Sequence, residues 1–221
     1  MKSVVLVSGG LDSTTVLYYA RSKGYKCYNI IFDYGQRHRK EIIAAEKISK
    51  LLKCPYYIIK INFPWQGSVL LNKNKKLPVH KINEIGKNIP TTYVPARNTI
   101  FISFAVSFAE TINAKYIFIG ANSIDYSGYP DCRQEYFMAF NKLISIGTKN
   151  GVEQKNKIEV IAPFVNMKKS EIIQLGLKLK VPFQLTWSCY EGKNKPCMKC
   201  DSCKLRNKAF KELGINDPLL I

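Results

Sequence analysis

Apolar and polar residues alternate in blocks along this chain, and the period of the alternation switches regularly. "KSVVLV" (2–7) is a continuous apolar run, short enough for a strand buried on both faces. The next stretch places Leu11, Val16, Leu17 and Ala20 at helical spacing, with Gly24 to end the helix. A second buried strand is predicted over 27–35, an amphipathic helix over 40–52 and a third strand over 56–61. Pro64, Gly67, Pro78, Gly86 and Pro90 then break the rhythm, so 62–92 reads as a mobile insertion or lid. Beyond it, 98–112 is apolar on nearly every side and is expected to be a buried helix. Strands at 115–120 and 157–164, and helices at 133–147, 168–179 and 203–213, complete the pattern. Such alternation predicts an α/β fold with a doubly wound, mainly parallel five-stranded sheet. The expected organisation is one α/β domain over 1–181, with a C-terminal segment, 182–221, packed on it.

Composition narrows the class of protein. The 221 residues are 46% hydrophobic and 23% charged, enough for one sizeable core. No apolar run approaches the roughly 20 residues that span a bilayer, and the first residues enter a strand without a signal pattern. The expectation is a cytoplasmic protein with no membrane partner. The net charge of +18 comes from lysines scattered along the whole chain, with no RNA-binding signature beside them. A solvated surface, and no nucleic-acid partner, is the expected reading.

Chemistry first shows at "SGGLDS" (8–13), between the first strand and the first helix. In open α/β sheets ligands sit at the carboxyl ends of strands, where strand order reverses. Adjacent glycines let backbone N–H groups approach an anion at a helix start, aided by the helix dipole. Ser8, Ser13, Thr14 and Thr15 add hydroxyl donors. The loop has neither the lysine of a Walker loop nor the glycine spacing of a dinucleotide fingerprint.

Seven cysteines in a cytoplasmic chain point to metal or chemistry rather than disulfides. Four of them, Cys189, Cys197, Cys200 and Cys203, fall in "CYEGKNKPCMKCDSC". Two-residue gaps gather thiolates round one ion, and the fourth closes a tetrahedral zinc site. A [4Fe–4S] cluster is the alternative. Lys193, Lys195, Lys199, Lys204 and Arg206 are expected to offset the charge of the site. Cys27 and Cys54 read as core residues, whereas Cys132 lies in the polar stretch "GYPDCRQE", where a reactive thiol can sit.

The pattern S-G-G-x-D-S resembles the pyrophosphate-binding loop of the N-type ATP pyrophosphatases. That resemblance implies ATP bound by Ser8, Gly9, Gly10, Leu11, Asp12, Ser13 and Thr14, with Asp12 placing Mg²⁺ or orienting phosphates. "FDYGQRH" (32–38) ends the second strand, where its backbone can border an adenine. "VPARN" (94–98) opens the apolar helix with Arg97, suited to a phosphate or carboxylate. In "GANSIDYSGYPDCRQEYF" (120–137), Asp125, Tyr129, Asp131 and Arg133 suit a purine-like ring that carries an acidic group.

With "MKKSE" (167–171) and the cysteines, these motifs together resemble the 7-cyano-7-deazaguanine synthase family over nearly the whole chain. The one evident departure is Met198 in "PCMKC", where that family commonly has glycine. The resemblance implies that 7-carboxy-7-deazaguanine is activated by ATP, converted by ammonia to an amide, and activated again to leave a nitrile. Arg97 and Lys169 are then expected to stabilise phosphate charge beside Asp12. Free ammonium is the expected nitrogen source, and a homodimer the expected assembly. Two alternatives share the loop: a tRNA thiolation enzyme relaying sulfur through Cys132, and a non-catalytic, zinc-containing adenine-nucleotide sensor.

Overall fold

The computed structural model describes residues 1–65, 67–122 and 128–221. Five parallel strands form one sheet in the order β3-β2-β1-β4-β5: β1 (Lys2–Leu6), β2 (Lys26–Asp33), β3 (Tyr56–Lys60), β4 (Tyr116–Phe118) and β5 (Glu159–Ile161). The chain winds outward from β1 to β3, then returns to pair β4 against β1, with Val5 opposite both Asn29 and Phe118. Strand order therefore reverses between β1 and β4, as the block pattern predicts. β1 and β2 are buried on both sides, which their unbroken apolar runs require, whereas edge strand β3 is half-exposed. β4 and β5 are only three residues long, shorter than their apolar runs.

Helices cover both faces. On one face, α1 (Leu11–Ser22), α2 (Lys40–Leu51), α5 (Lys169–Lys178) and α6 (Asp201–Glu212) enclose a core built from Val5, Leu17, Ile48, Ile172 and Phe210. On the other, α3 (Arg97–Thr111) and α4 (Gln134–Gly147) pack over Val4, Ile30 and Ile117. Among the described residues no helix is long and apolar enough to cross a membrane.

α3 departs from the expectation of all-round burial. Ile102, Ala105 and Ala109 face the sheet, and the two alanines let the helix lie close upon it. Its outer side, with Ser103, Phe104 and Ser107, is exposed. α4 behaves similarly, burying Phe137, Phe140 and Ile144 while exposing Met138, Leu143 and Ile146.

The segment 62–92 has no helix or strand among its described residues. It is nevertheless tied down. Arg37 donates from its guanidinium to the carbonyls of Val69, Asn72, Lys73 and Lys75. Further on, Asp201 at the head of α6 accepts from the His80 backbone N–H at 2.8 Å and faces His80 Nδ1 at 2.7 Å.

Candidate active site

One cavity, about 280 Å³, opens at the carboxyl ends of β1 and β4. Ser8, Gly10, Leu11, Asp12 and Ser13 form its floor, at the start of α1. The loop is stiffened from within, because Ser13 Oγ accepts from the Ser8 N–H at 3.1 Å and meets Ser8 Oγ at 3.0 Å. The two glycines divide their work. Gly10 stands open on the cavity, whereas Gly9 has φ +82° and a Cβ there would lie 2.2 Å from the Glu41 carbonyl oxygen. Gly9 thus lets the loop press against α2 and is not on the cavity wall. Thr14 is fully buried behind the wall.

Asp12 is the polar centre of this floor. Its Oδ2 accepts from Lys169 Nζ at 2.7 Å and from Asn122 Nδ2 at 3.2 Å. Its Oδ1 is buried with no hydrogen-bond partner among the described residues, so one strong acceptor is left for a cation or a donor group. Lys169 comes from the first turn of α5, and its neighbour Lys168 is exposed. The Lys168 N–H instead donates to Glu171 Oε2 at 2.6 Å, closing the start of that helix.

Arg97 enters from the opposite wall. Ala96 before it holds φ +53°, a left-handed turn that swings the chain into α3. The guanidinium lies over the rings of Tyr34 and Phe101 at 5.7 and 5.9 Å. Burial alone would lower the Arg97 pKa, but Tyr34 and Asp131 outweigh it and hold the cation charged. Phe32, Tyr34, Gln36, Arg37 and His38 of "FDYGQRH" border the same space.

The acceptor residues separate. Tyr129 lines the cavity with its hydroxyl 2.9 Å from Thr92 Oγ1. Asp131 does not line it: its Oδ2 accepts from the Asn98 N–H at 3.0 Å, at the N-terminus of α3. Arg133 is exposed just before α4. Asp125 lies outside the described residues. Cys132 is buried at the cavity edge, 3.1 Å from Asn98 Nδ2. Cys27 and Cys54 are core residues, and burial raises the Cys27 thiol to about 11.

Behind the opposite rim, the sulfur atoms of Cys189, Cys197, Cys200 and Cys203 all lie within 4.8 Å of one another. Tetrahedral zinc with Zn–S of about 2.3 Å holds its thiolates about 3.8 Å apart. Four sulfurs this close suit one ion, whereas a four-iron cube spreads its ligands farther. Backbone N–H groups of Lys199 and Cys200 point at Cys197 Sγ, at 3.4 and 3.3 Å, and that of Cys197 at Cys189 Sγ. Hydrogen bonds from Cys200 and Cys203 hold the Cys189 thiol far below its usual range.

The turn that aims these N–H groups puts Met198 at φ +59°, a conformation that glycine adopts without penalty. Met198→Gly is expected to stabilise the metal-loaded protein by about 1 kcal/mol, read as a higher urea midpoint at unchanged slope.

Arg206, expected to offset the cluster's charge, is engaged elsewhere. Its Nε and Nη2 donate to both Asp217 oxygens at 2.6 and 2.8 Å, and Nη1 donates to Thr186 Oγ1 at 2.7 Å. This buried pair fixes the segment that carries Trp187. From there the Trp187 N–H donates to the Gly9 carbonyl at 2.9 Å. Trp187, Ser188, Tyr190, Ser202 and Leu205 complete the cavity wall, so the cysteine segment is part of the site. Trp187 and Glu41 carry no signal in the sequence, whereas His38, Asn122, Tyr190 and Ser202 lie inside stretches that do without standing out individually.

A small-residue loop at the switch point of a 3-2-1-4-5 parallel sheet, facing a cavity lined by Asp12 and Glu41 and by Arg37, Arg97 and Lys169, defines an ATP-using protein of the pyrophosphatase-loop class. The fold agrees with the solved NMN synthetase of Francisella tularensis, at TM-score 0.54 and 15% identity, over 97% of this chain and 77% of that one. A family model described as "Queuosine biosynthesis protein QueC" matches residues 2–214, and the chain belongs to that family. Relatives named 7-cyano-7-deazaguanine synthase include one from Trichodesmium erythraeum, 51% identical over 100% of both chains. Another, from Thermoplasma volcanium, is 52% identical over 99% of this chain and 90% of the relative.

Proposed function

We infer that this protein is a 7-cyano-7-deazaguanine synthase, turning 7-carboxy-7-deazaguanine, ammonia and ATP into the nitrile through an amide. The observation that carries the reading is the cavity that joins Asp12, Lys169 and Arg97 at the switch point, in a chain matched end to end by that family. A carboxylate oxygen is a poor leaving group, so the carboxylate must first be joined to the α-phosphorus of ATP. Ser8, Gly10 and Ser13 sit where backbone and hydroxyl donors can cradle the leaving pyrophosphate. Lys169 and Arg97 meet the charge that builds on the phosphates. Asp12 Oδ1 fits Mg²⁺, a hard cation that takes oxygen ligands and would neutralise that charge.

The cysteine cluster holds Zn²⁺ in a closed, structural site, supported by four thiols of the right spacing. Tyr129 stacks on or bonds to the deazaguanine, and Asp125 and Arg133 act from the stretch around it. Asp131 serves recognition indirectly, through its hold on α3. The insertion 62–92 forms a lid, supported by Leu70 and Thr92 on the cavity wall. The protein works in the cytoplasm, without nucleic acid, as a homodimer.

The uncovered apolar side of α4 supports the dimer. Leu143→Glu is expected to shift the protein to monomer by sedimentation; an unchanged dimer would place the interface elsewhere. The reaction itself is tested by incubating zinc-loaded protein with Mg²⁺-ATP, ammonium and 7-carboxy-7-deazaguanine. Mass spectrometry should show the nitrile, and no nitrile would overturn the reading.

A further inference from the structure

Glu41 is a carboxylate that the activation step does not use. It sits in the first turn of α2 and lines the cavity beside the phosphate loop, where Gly9 packs on its own backbone carbonyl. Among the described residues no hydrogen bond or ion pair engages its side chain. Burial pushes its carboxyl up to about 7, even though Arg97 pulls it down.

One turn earlier, His38 lines the same cavity. Its Nε2 stands 2.8 Å from the Cys189 carbonyl, which only accepts, so Nε2 carries the hydrogen. Nδ1 is then a lone-pair acceptor, buried and without a partner among the described residues. The head of α2 therefore brings two side chains with acceptors unsatisfied among the described residues to the cavity wall, next to the phosphate loop. A small molecule rich in N–H donors satisfies both.

We propose that Glu41 and His38 form the ammonium pocket of this enzyme, with Glu41 as the base that frees the attacking ammonia. The proposal rests on the functional reading above. Arg97 acts on Glu41, and Lys40 and Arg37 on His38, with Cys189 opposing them at both; the guanidinium beside Glu41 helps ammonium release a proton. Glu41 accepts that proton while His38 Nδ1 holds another N–H. The nitrogen lone pair then forms the C–N bond to the acyl carbon. The C–O bond to the adenylate breaks with its electron pair leaving on AMP. The second proton of the nitrogen passes to the AMP phosphate, and Glu41 returns its own proton to water.

The test splits activation from amination in Glu41→Gln. Acid-dependent exchange of pyrophosphate into ATP, without ammonium, should persist at a tenth or more of the wild-type rate. Amide formation from ammonium should fall by about 10²–10³-fold. Hydroxylamine, which is largely unprotonated at neutral pH, should restore hydroxamate formation to within about tenfold of wild type, since base catalysis is the term it bypasses. Equal losses in exchange and amination would overturn the proposal, placing Glu41 in ATP binding. An unchanged ammonium dependence would overturn it too. Should Glu41→Gln fail to fold, Glu41→Asp is expected to keep exchange and show a raised KM for ammonium; an unaltered KM there is equally fatal. Absence of exchange in the wild type would instead bring down the functional reading itself.

Discussion

Lys169→Ala is expected to lower kcat/KM for acid-dependent pyrophosphate release by about 10²–10³-fold, the usual loss when one preorganised charge is removed from a closed site. The size follows from position. Lys169 Nζ lies 2.7 Å from Asp12 Oδ2, with both side chains less than a fifth exposed. Its removal takes a cation from the phosphates and also leaves Asp12 with an unopposed charge beside an already unpaired Oδ1. Steady-state pyrophosphate release measures the effect, and Lys168→Ala, one residue away and exposed, should stay near wild type. Equal losses in both variants would mean that the helix start matters and the Lys169 charge does not.

Cys200→Ser should have the largest effect on stability. Metal binding to four thiolates is worth about 10–16 kcal/mol in small zinc domains, and a lost ligand forfeits much of it. A loss of about 4 kcal/mol or more is expected, a fall in Tm of about 8–16 °C for a chain of this size. Activity should fall with it, because Trp187, Ser188, Tyr190, Ser202 and Leu205 give the cavity one of its walls. Bound zinc by elemental analysis, Tm and turnover are the three readouts. A variant that loses its metal yet keeps Tm and turnover would remove the cluster from any role in the site.

What the sequence reveals here depends on how local each signal is. β1 and β2 are buried on both faces, so their apolar runs are continuous and their positions plain. The phosphate loop and the cysteine spacing are equally local, since backbone geometry within a few residues makes the site. Met198 is legible as an oddity and becomes intelligible through its left-handed φ. Glu41 has no such signal: in an amphipathic helix it reads as one more surface charge, and only the approach of the Gly9 loop turns it inward. Asp131 errs the other way. A carboxylate among tyrosines suggests ligand contact, but the fold brings the N-terminus of α3 to it first. α3 itself is apolar enough to suggest full burial, yet a helix on the outer layer of a sheet buries only the sides that face the sheet and its neighbours, and its outer side stays exposed.

The bond from the Trp187 N–H to the Gly9 carbonyl spans almost the whole chain. Synthesis delivers the phosphate loop well before the cavity wall, and domains commonly begin to fold as they emerge. A nascent chain can therefore form its loop and inner strands but has no enclosed chamber in which an activated acid is shielded from water. The chamber closes only when the segment that carries Trp187 and the cysteines has left the ribosome and packed against the loop. If the cluster binds zinc as proposed, closing of the chamber would wait on metal supply as well as on synthesis of the segment that carries Trp187.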